Sequence, residues 1–232
     1  FVIYQGENGG ELNYYDNVVP FSGSLDISNG RQEDVYDINI VSCEKSLISR
    51  NDGNGETRIF DGEIIMSLDI CGYRNEDVSL LTDIYAPGYE ITPKTEKLEY
   101  ERLVENKVVD IDINERIKNE DGGKIIYTCG DVIVDEIIQK DNKVDIEGTI
   151  SVQIMMEDKE AMPPITVSHH DIPFSYQAGM DKYEKDSELC GKVNNISLYS
   201  KRISDKEISV NGTIKMEIMA KSTPTTPVVI NA

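Results

Sequence analysis

Three segments of this sequence repeat one alternating pattern around a central glycine, at Gly62, Gly148 and Gly212. Each has an apolar residue two positions before the glycine and at two, four and six positions after it, with mostly polar residues between. Successive side chains of a strand point to opposite faces, so the pattern predicts strands with one buried and one solvated face. A glycine on the buried face indicates the close approach of another backbone or a bulge. Three copies of such a strand predict an all-β protein built from a repeated unit.

The register of these strands predicts which side chains are buried. A slip by one residue would turn the whole apolar set toward water, so the register is strongly specified. The expected core residues are Ile64, Met66, Leu68, Ile150, Val152, Ile154, Ile214, Met216 and Ile218. The residues expected to face outward or toward a rim are Ser67, Ser151, Gln153, Lys215 and Glu217.

A second motif, x-Pro-Phe-Ser, occurs at residues 19–22 and again at residues 172–175. Proline cannot donate a ladder hydrogen bond, so both copies are expected at a sheet edge or at the entry to a strand. Because the motifs follow the same order twice, we expect residues 1–73 and about 150–221 to superpose, with Gly62 equivalent to Gly212. The predicted fold class is all-β, with two small antiparallel β-sandwich modules related by an internal repeat.

The predicted domains follow from this repeat and from the composition between its copies. Residues 1–81 are predicted as the first module, and residues 98–221 as the second module with an extra N-terminal hairpin. Residues 82–97 contain two prolines and a glycine and are predicted as a linker, and residues 222–232 as a Pro/Thr-rich tail. Clusters of Gly, Asn and Asp predict a turn at residues 6–10 and hairpin turns at residues 51–55, 119–123 and 140–142.

The charge of the chain limits its partners. Its 232 residues include 43 acidic and 23 basic side chains, which gives a net charge of −20. Nucleic acid and anionic membrane surfaces require basic patches, so neither is expected as a partner. No apolar run approaches the roughly 20 residues of a membrane-spanning helix, so no membrane insertion is expected. The acidic balance favours a solvated surface, cation binding or a basic protein partner.

The four cysteines, Cys43, Cys71, Cys129 and Cys190, are far apart and lack zinc-site spacing. They are predicted as buried or half-buried free thiols in strands. Cys129-Gly130-Asp131-Val132 and Cys190-Gly191-Lys192-Val193 have similar sequence contexts. A disulfide or a link between subunits therefore stays open as an alternative.

No catalytic signature is present. The sequence contains no G-x-S-x-G motif, P-loop or dinucleotide fingerprint, and no pair of carboxylates can be singled out for acid–base work. We therefore predict a protein that is not an enzyme and has no catalytic residues, no cofactor and no metal site.

Two weak metal-site patterns have simpler explanations. His169 and His170 are adjacent and would point to opposite faces of a strand, so a surface role is expected for both. Residues 52, 54, 56 and 63 have a spacing like that of an EF-hand loop. However, Thr57 stands where that loop needs glycine, and strands are expected on both sides. A hairpin turn is therefore the prediction.

Among the sequence features, only the tyrosines suggest a surface that binds a ligand. Five of them, Tyr14, Tyr15, Tyr176, Tyr183 and Tyr199, are candidates for stacking on a sugar or contacting a partner. The simpler interpretation is that they cover the edges of small cores that contain no tryptophan.

The G-T-I-x-V-x-I strand and the I-P-F-S element resemble motifs of the SPOCS-domain family of clostridial sporulation proteins. The connector from Tyr89 to Tyr100 (YEITPKTEKLEY) is similar to the stretch that joins successive SPOCS units. The resemblance covers nearly the whole chain and concerns small β modules rather than catalytic signatures. It implies two SPOCS-like modules without the LysM glycan-binding domain that often ends such proteins.

The resemblance also implies a function. Proteins of this family belong to the spore envelope and bind other coat-assembly proteins. The expected function is that of a structural or interaction protein of the coat, exosporium or surface appendage, located in the spore envelope or on the spore surface and assembled from the mother-cell side. The expected partners are other copies of the chain or spore-envelope proteins. A module that binds peptidoglycan or another glycan is the alternative.

A strand-addition interface is predicted from the repeat alignment. Residues 1–5 align with residues 152–156, so the chain begins inside its first repeat strand, and either an upstream segment was lost or the first module lacks part of a strand. The unpaired edge beside Phe1, Val2 and Ile3 would accept an added strand. The donor is predicted to be a neighbouring copy or the apolar tail residues Val228, Val229 and Ile230. Head-to-tail pairing of this kind tends to give filaments.

Overall fold

The computed structural model describes residues 1–5, 12–74, 76–119, 123–158, 160, 164–182, 184 and 187–231. Over these residues it contains twelve β-strands and no helix, and all of its strand pairs are antiparallel. The predicted all-β class is confirmed. The turn predicted at residues 6–10 and most of the turn predicted at 119–123 lie outside the described residues.

The strands follow one another along the chain with short connections. They are β1 (Val2–Gln5), β2 (Leu12–Tyr15), β3 (Val35–Asn51), β4 (Thr57–Tyr73), β5 (Lys94–Glu99), β6 (Arg102–Lys118), β7 (Lys124–Lys140), β8 (Lys143–Glu157), β9 (Ile165–Gly179), β10 (Glu188–Ser204), β11 (Glu207–Ser222) and β12 (Thr225–Asn231).

The chain divides into two compact units. The large unit comprises Phe1–Asp16 and Leu81–Ala232, and the small unit comprises Asn17–Leu80. This grouping differs from the predicted modules, in which residues 1–81 stood together. The difference arises because β1 and β2 pair with each other and contact β7 through the ring of Phe1, which stacks on Tyr127.

The large unit contains two three-stranded sheets, in the orders β10–β11–β6 and β7–β8–β9. These sheets share one hydrophobic core, to which β6, β8, β9 and β11 contribute buried side chains. Two smaller sheets, β1–β2 and β12–β5, complete the unit. Nothing in the described residues conflicts with the predicted sandwich, which stays a prediction together with the internal repeat.

The central strands β8 and β11 contribute most of the buried side chains of this core. Their alternating apolar residues are fully buried because each central strand has a neighbour on both edges and a second sheet over its apolar face. Six predicted core residues are confirmed here, namely Ile150, Val152, Ile154, Ile214, Met216 and Ile218. Burying each such side chain contributes about 1.5–3 kcal/mol relative to leaving it exposed.

The glycines of β8 and β11 are explained by crowding from the neighbouring strands. A Cβ atom at Gly212 would clash with the carbonyl oxygen of Ser197 and would lie 2.8 Å from Leu198 Cδ2. A Cβ at Gly148 would lie 2.6 Å from the ring of Phe174. The close approach predicted for these two positions is confirmed.

Over its described residues, the small unit holds one two-stranded sheet, β3–β4, in which both strands have 17 residues. The hairpin turns predicted at residues 51–55 and 140–142 are confirmed, since they join β3 to β4 and β7 to β8. The core prediction is wrong for β4, where Ile64 is 61% exposed, Leu68 is 43% exposed and Met66 is half-buried. Among the described residues of the small unit there is no third strand and no second sheet against which this apolar alternation could pack.

Three connecting segments also differ from their predictions. The predicted linker, residues 82–97, ends in β5, and the predicted tail forms β12, which pairs with β5. The strands on either side of residues 119–123 do not form a hairpin, because β6 pairs with β11 while β7 pairs with β8.

Equivalent isoleucines on β11 and β4 should respond differently to truncation. Ile214→Ala should lower the free energy of unfolding by about 2–5 kcal/mol, because the side chain is fully buried and a cavity would remain. Ile64→Ala, at the same place in the sequence pattern around Gly62, should cost no more than about 0.5 kcal/mol in dilute solution. Chemical denaturation followed by circular dichroism measures both, and equal losses would contradict the burial described above.

The paired glycines offer a second test. Gly212→Ala should destabilise the protein by about 1–3 kcal/mol, because the added methyl group meets the neighbouring strand. Gly62→Ala should be close to neutral, because the nearest atom to the added methyl would be Leu47 Cδ1, at 3.8 Å. The same denaturation assay applies, and a larger loss at Gly62 than at Gly212 would refute this account.

Candidate interaction surfaces

The β3–β4 hairpin, hereafter the ribbon, has one apolar face that is open. Residues directly opposite each other in an antiparallel pair lie on the same side of the sheet. The pairing of β3 with β4 therefore groups twelve side chains on one side. This apolar face consists of Tyr36, Ile38, Ile40, Cys43, Lys45, Leu47, Ser49, Phe60, Ile64, Met66, Leu68 and Ile70. Only Lys45 among them is charged, and most of the large apolar members are 40–61% exposed.

The other side of the ribbon, hereafter the polar face, carries the acidic residues. Its charged members are Asp37, Glu44, Arg50, Asp61, Glu63 and Asp69. Arg50 forms an ion pair with Asp61 across the strands. Three isoleucines, Ile48, Ile59 and Ile65, also lie on this side. The ribbon is thus amphipathic even though both of its faces are solvated.

The hairpin β10–β11 of the large unit has the same arrangement with its apolar face covered. Leu198 lies opposite Gly212 there, as Leu47 lies opposite Gly62 in the ribbon. In the large unit β6 pairs with the outer edge of β11, and the β7–β8–β9 sheet shares the core with it. In the ribbon, no further strand of the described chain pairs with β3 or β4.

A charged contact that the sequence analysis missed closes the loop before β3. The Arg74 guanidinium donates two hydrogen bonds of 2.8 Å to the Asp34 carboxylate and one of 2.6 Å to the carbonyl of Asn29. The backbone N–H of Arg31 also donates to Asp34, at 2.7 Å. Together these bonds tie the loop preceding β3 to the end of β4. The Arg74 guanidinium and this N–H group hold the pKa of the Asp34 carboxyl well below its usual range.

Five of the six residues predicted for strand addition lie in two separate sheets, and the sixth, Phe1, directly precedes β1. Val2 and Ile3 pair with β2, and the ring of Phe1 stacks on Tyr127 with 4.4 Å between centroids. On β12, Val228 and Val229 lie opposite Glu96 and Thr95 of β5, and Ile230 falls at a register shift and is 46% exposed. Within one chain the tail therefore pairs with β5 and not with β1. Pairing between chains stays a prediction.

The predicted tyrosine surface is dispersed. Tyr14, Tyr176 and Tyr199 lie on β2, β9 and β10, which belong to three different sheets, and Tyr183 lies outside the described residues. Tyr176 packs against the core, in agreement with the simpler interpretation for that residue. Tyr14 lies over Phe1, with 6.0 Å between ring centroids.

The other candidate residues do not form a site in the described chain. Asp52 accepts hydrogen bonds from the backbone N–H groups of Asn54 and Glu56, so its carboxylate stabilises the predicted hairpin turn. His169 is exposed, and His170 is half-buried with its Nε2 3.1 Å from Ser168 Oγ. No group of three or more His, Cys, Asp or Glu residues among those described is arranged to hold a metal ion.

All four cysteines are free thiols. They lie on strands as predicted, but Cys43, Cys71 and Cys190 are exposed, so their predicted burial is wrong. Cys129 is half-buried, and burial together with the charge of Asp131 raises the pKa of its thiol. Cys43 lies on the apolar face of the ribbon, opposite Met66, and Cys71 lies on the polar face, opposite Asp37.

Comparison with known proteins gave no match to a family model, to a curated protein or to a solved structure. The resemblance to SPOCS-domain proteins therefore rests on the sequence motifs alone. Among the described residues there is no helix long and apolar enough to cross a membrane.

The Asp34–Arg74 contact should make the stability of the small unit depend on pH. A carboxyl whose pKa is lowered by folding adds stability above the unfolded pKa of about 4, and this contribution is lost as the pH falls toward the folded value. Asp34→Asn should therefore lower the melting temperature at pH 7, and the difference from the parent protein should shrink below about pH 4. Thermal unfolding at a series of pH values measures this effect.

Asp69→Asn, which changes an exposed carboxylate on the polar face of the same ribbon, serves as the control. Its effect at pH 7 should be much smaller than that of Asp34→Asn. A pH-independent loss in the Asp34 variant would mean that the contact contributes no electrostatic stability.

Proposed function

We propose that this chain is a structural, non-enzymatic interaction protein of the bacterial spore envelope, in the coat, the exosporium or a surface appendage. It acts by assembling with other copies of itself or with other envelope proteins. The observation that carries the assembly function is the ribbon, in which two strands of 17 residues expose an apolar face and pair with no further strand of the described chain. The location in the spore envelope rests on the SPOCS-like motifs.

Physical arguments support a role for the ribbon in assembly. A two-stranded hairpin without a packing partner is marginally stable in water at best. Contiguous exposed apolar patches of several hundred Å² commonly mark interaction sites on soluble proteins. The ribbon combines both features, and its 17-residue strands are far longer than the five or six residues that are usual for strands.

The acidic charge suits such an assembly because it lies mostly away from the apolar face. A net charge of −20 keeps the isolated chain soluble, and at low ionic strength it opposes contact between copies. Salt screens this repulsion, with a Debye length of about 10 Å at 0.1 M. Assembly driven by apolar burial therefore strengthens as ionic strength rises.

Glycan binding remains the alternative, and it is the weaker one because the candidate tyrosines lie on three different sheets. A stacking platform needs several rings that face one ligand. Binding of the purified chain to peptidoglycan, without self-association, would favour this alternative.

Sedimentation velocity and electron microscopy of the purified chain test the proposal. We expect the mass to rise with protein concentration, and the association to strengthen from low salt to about 0.15 M salt because repulsion is screened. Deleting residues 225–232 tests the tail as a strand donor, since unchanged assembly would exclude it. A chain that neither associates with itself nor retains spore-envelope proteins would contradict the proposed function.

A further inference from the structure

We propose that a second copy of this chain covers the apolar face of the ribbon, so that two ribbons pack face to face about a two-fold axis. This inference rests on the proposed function, because it names the partner and the surface of one assembly contact. The strands β1 and β12, predicted for strand addition, take no part in it.

The arrangement inside the large unit indicates what kind of surface fits the ribbon. The β10–β11 hairpin has the same alternation, with Leu198 opposite Gly212, and a second β-sheet covers its apolar face. The face of that second sheet is apolar and is built from alternating strand residues, as on β8. A partner for the ribbon therefore needs an extended apolar β face. In the small unit, the ribbon of another copy is such a face.

The distribution of charge favours a second copy over a basic protein. The chain as a whole is strongly acidic, yet the apolar face carries no carboxylate and its single charge is Lys45. A basic partner would therefore find no opposite charge on this face. In a face-to-face pair the acidic residues of both ribbons lie on the outer, polar faces and stay in water.

Lys45 is compatible with this packing because of its position. It lies on β3, which is an edge strand of the two-stranded ribbon, so its long side chain can extend past the edge. Lysine side chains commonly bury their aliphatic stem and keep the ammonium group in water. The ammonium groups of the two copies thus stay hydrated at the rim of the contact.

The area of the face is sufficient for a specific contact. A strand of 17 residues is about 55 Å long, and two strands with their side chains span a width of about 10 Å. The two faces together would bury about 1,100 Å², which is just above the roughly 1,000 Å² expected of a specific interface. The overlap has to be nearly complete to reach this area, and that requirement fixes the alignment of the two ribbons.

Complete overlap brings the midpoints of the two ribbons together. Cys43 is the central residue of β3 and lies on the apolar face, so the Cys43 thiols of the two copies approach each other across the contact. Packed sheets are about 10 Å apart, and the cysteine side chains shorten the gap between the two sulfur atoms. A short bifunctional maleimide therefore reaches from one Cys43 to the other.

Two adjacent isoleucines provide matched variants. Ile64 is on the apolar face and 61% exposed, and Ile65 is on the polar face and 56% exposed. Ile64→Lys should weaken the dimer at least about 30-fold, because it places an unpaired charge in a desolvated apolar contact. Ile65→Lys adds the same charge to the same chain and should change the association constant by no more than about twofold. Sedimentation equilibrium measures the constants, and thermal unfolding checks that both variants fold.

Cross-linking tests the geometry independently. A variant that retains only Cys43 (Cys71→Ser, Cys129→Ser and Cys190→Ser) should form a covalent dimer with a short bis-maleimide. The matched variant that retains only Cys71, on the polar face, should not. Ile64→Lys introduced into the Cys43 variant should abolish the cross-link.

Several outcomes would overturn the inference. Equal effects of Ile64→Lys and Ile65→Lys on self-association would refute this contact and leave the proposed assembly function in place. Binding of a different envelope protein that Ile64→Lys blocks, in a chain that stays monomeric, would replace the second copy with a heterologous partner. A chain with neither self-association nor envelope binding would overturn both proposals.

Discussion

The burial of one apolar face per sheet is the constraint on which the rest of this structure depends. Each long hairpin presents alternating Ile, Leu, Val and Met side chains on one side, and this side is stable only against another apolar surface. In the large unit two three-stranded sheets meet this requirement for each other, and residues such as Ile146 and Ile218 are completely withdrawn from water. The small unit has the same kind of hairpin without the second sheet. The contrast between the covered β10–β11 hairpin and the open ribbon is the main support for the assembly proposed above.

Electrostatic interactions are secondary to the burial of apolar faces, and their placement is consistent with it. Among the described ion pairs of the small unit, the one between Asp34 and Arg74 is the least exposed; it lies at the end of the ribbon and ties down the loop before β3. Most other charged groups lie on solvated faces, where ion pairs contribute little to stability. The pair Arg50–Asp61 belongs to this second group, since both side chains are largely exposed. The charge pattern therefore has a small effect on the stability of the fold. Its larger effect is on which faces can pack against each other.

The sequence predicted the three glycine-marked strands β4, β8 and β11 and the β3–β4 and β7–β8 hairpins, because these depend on local alternation and on turn residues. The burial of Ile150 and Ile214 and the crowding around Gly148 and Gly212 followed from that alternation. The exposure of Ile64 could not be predicted, because alternation specifies which residues share a face but not whether another sheet covers it. The pairing of β12 with β5 and the contact of Asp34 with Arg74 join residues that are distant in sequence, and no periodic signal marks them. The separation of the strand-addition residues into two sheets was missed for the same reason.

The order in which strands pair has a consequence for the order of folding. β3 and β4 are joined by a tight turn, so the ribbon can form as soon as both strands have left the ribosome. β6, in contrast, pairs with β11, and the contact between Asp112 and Thr213 spans 101 positions of the chain. Contacts between residues so distant in sequence form slowly. Until they form, the edge strands of the sheet have unpaired backbone groups. In the proposed dimer, the ribbon is therefore available to a neighbouring nascent chain before the large unit is complete, and the contact between the two ribbons can precede the folding of the large unit.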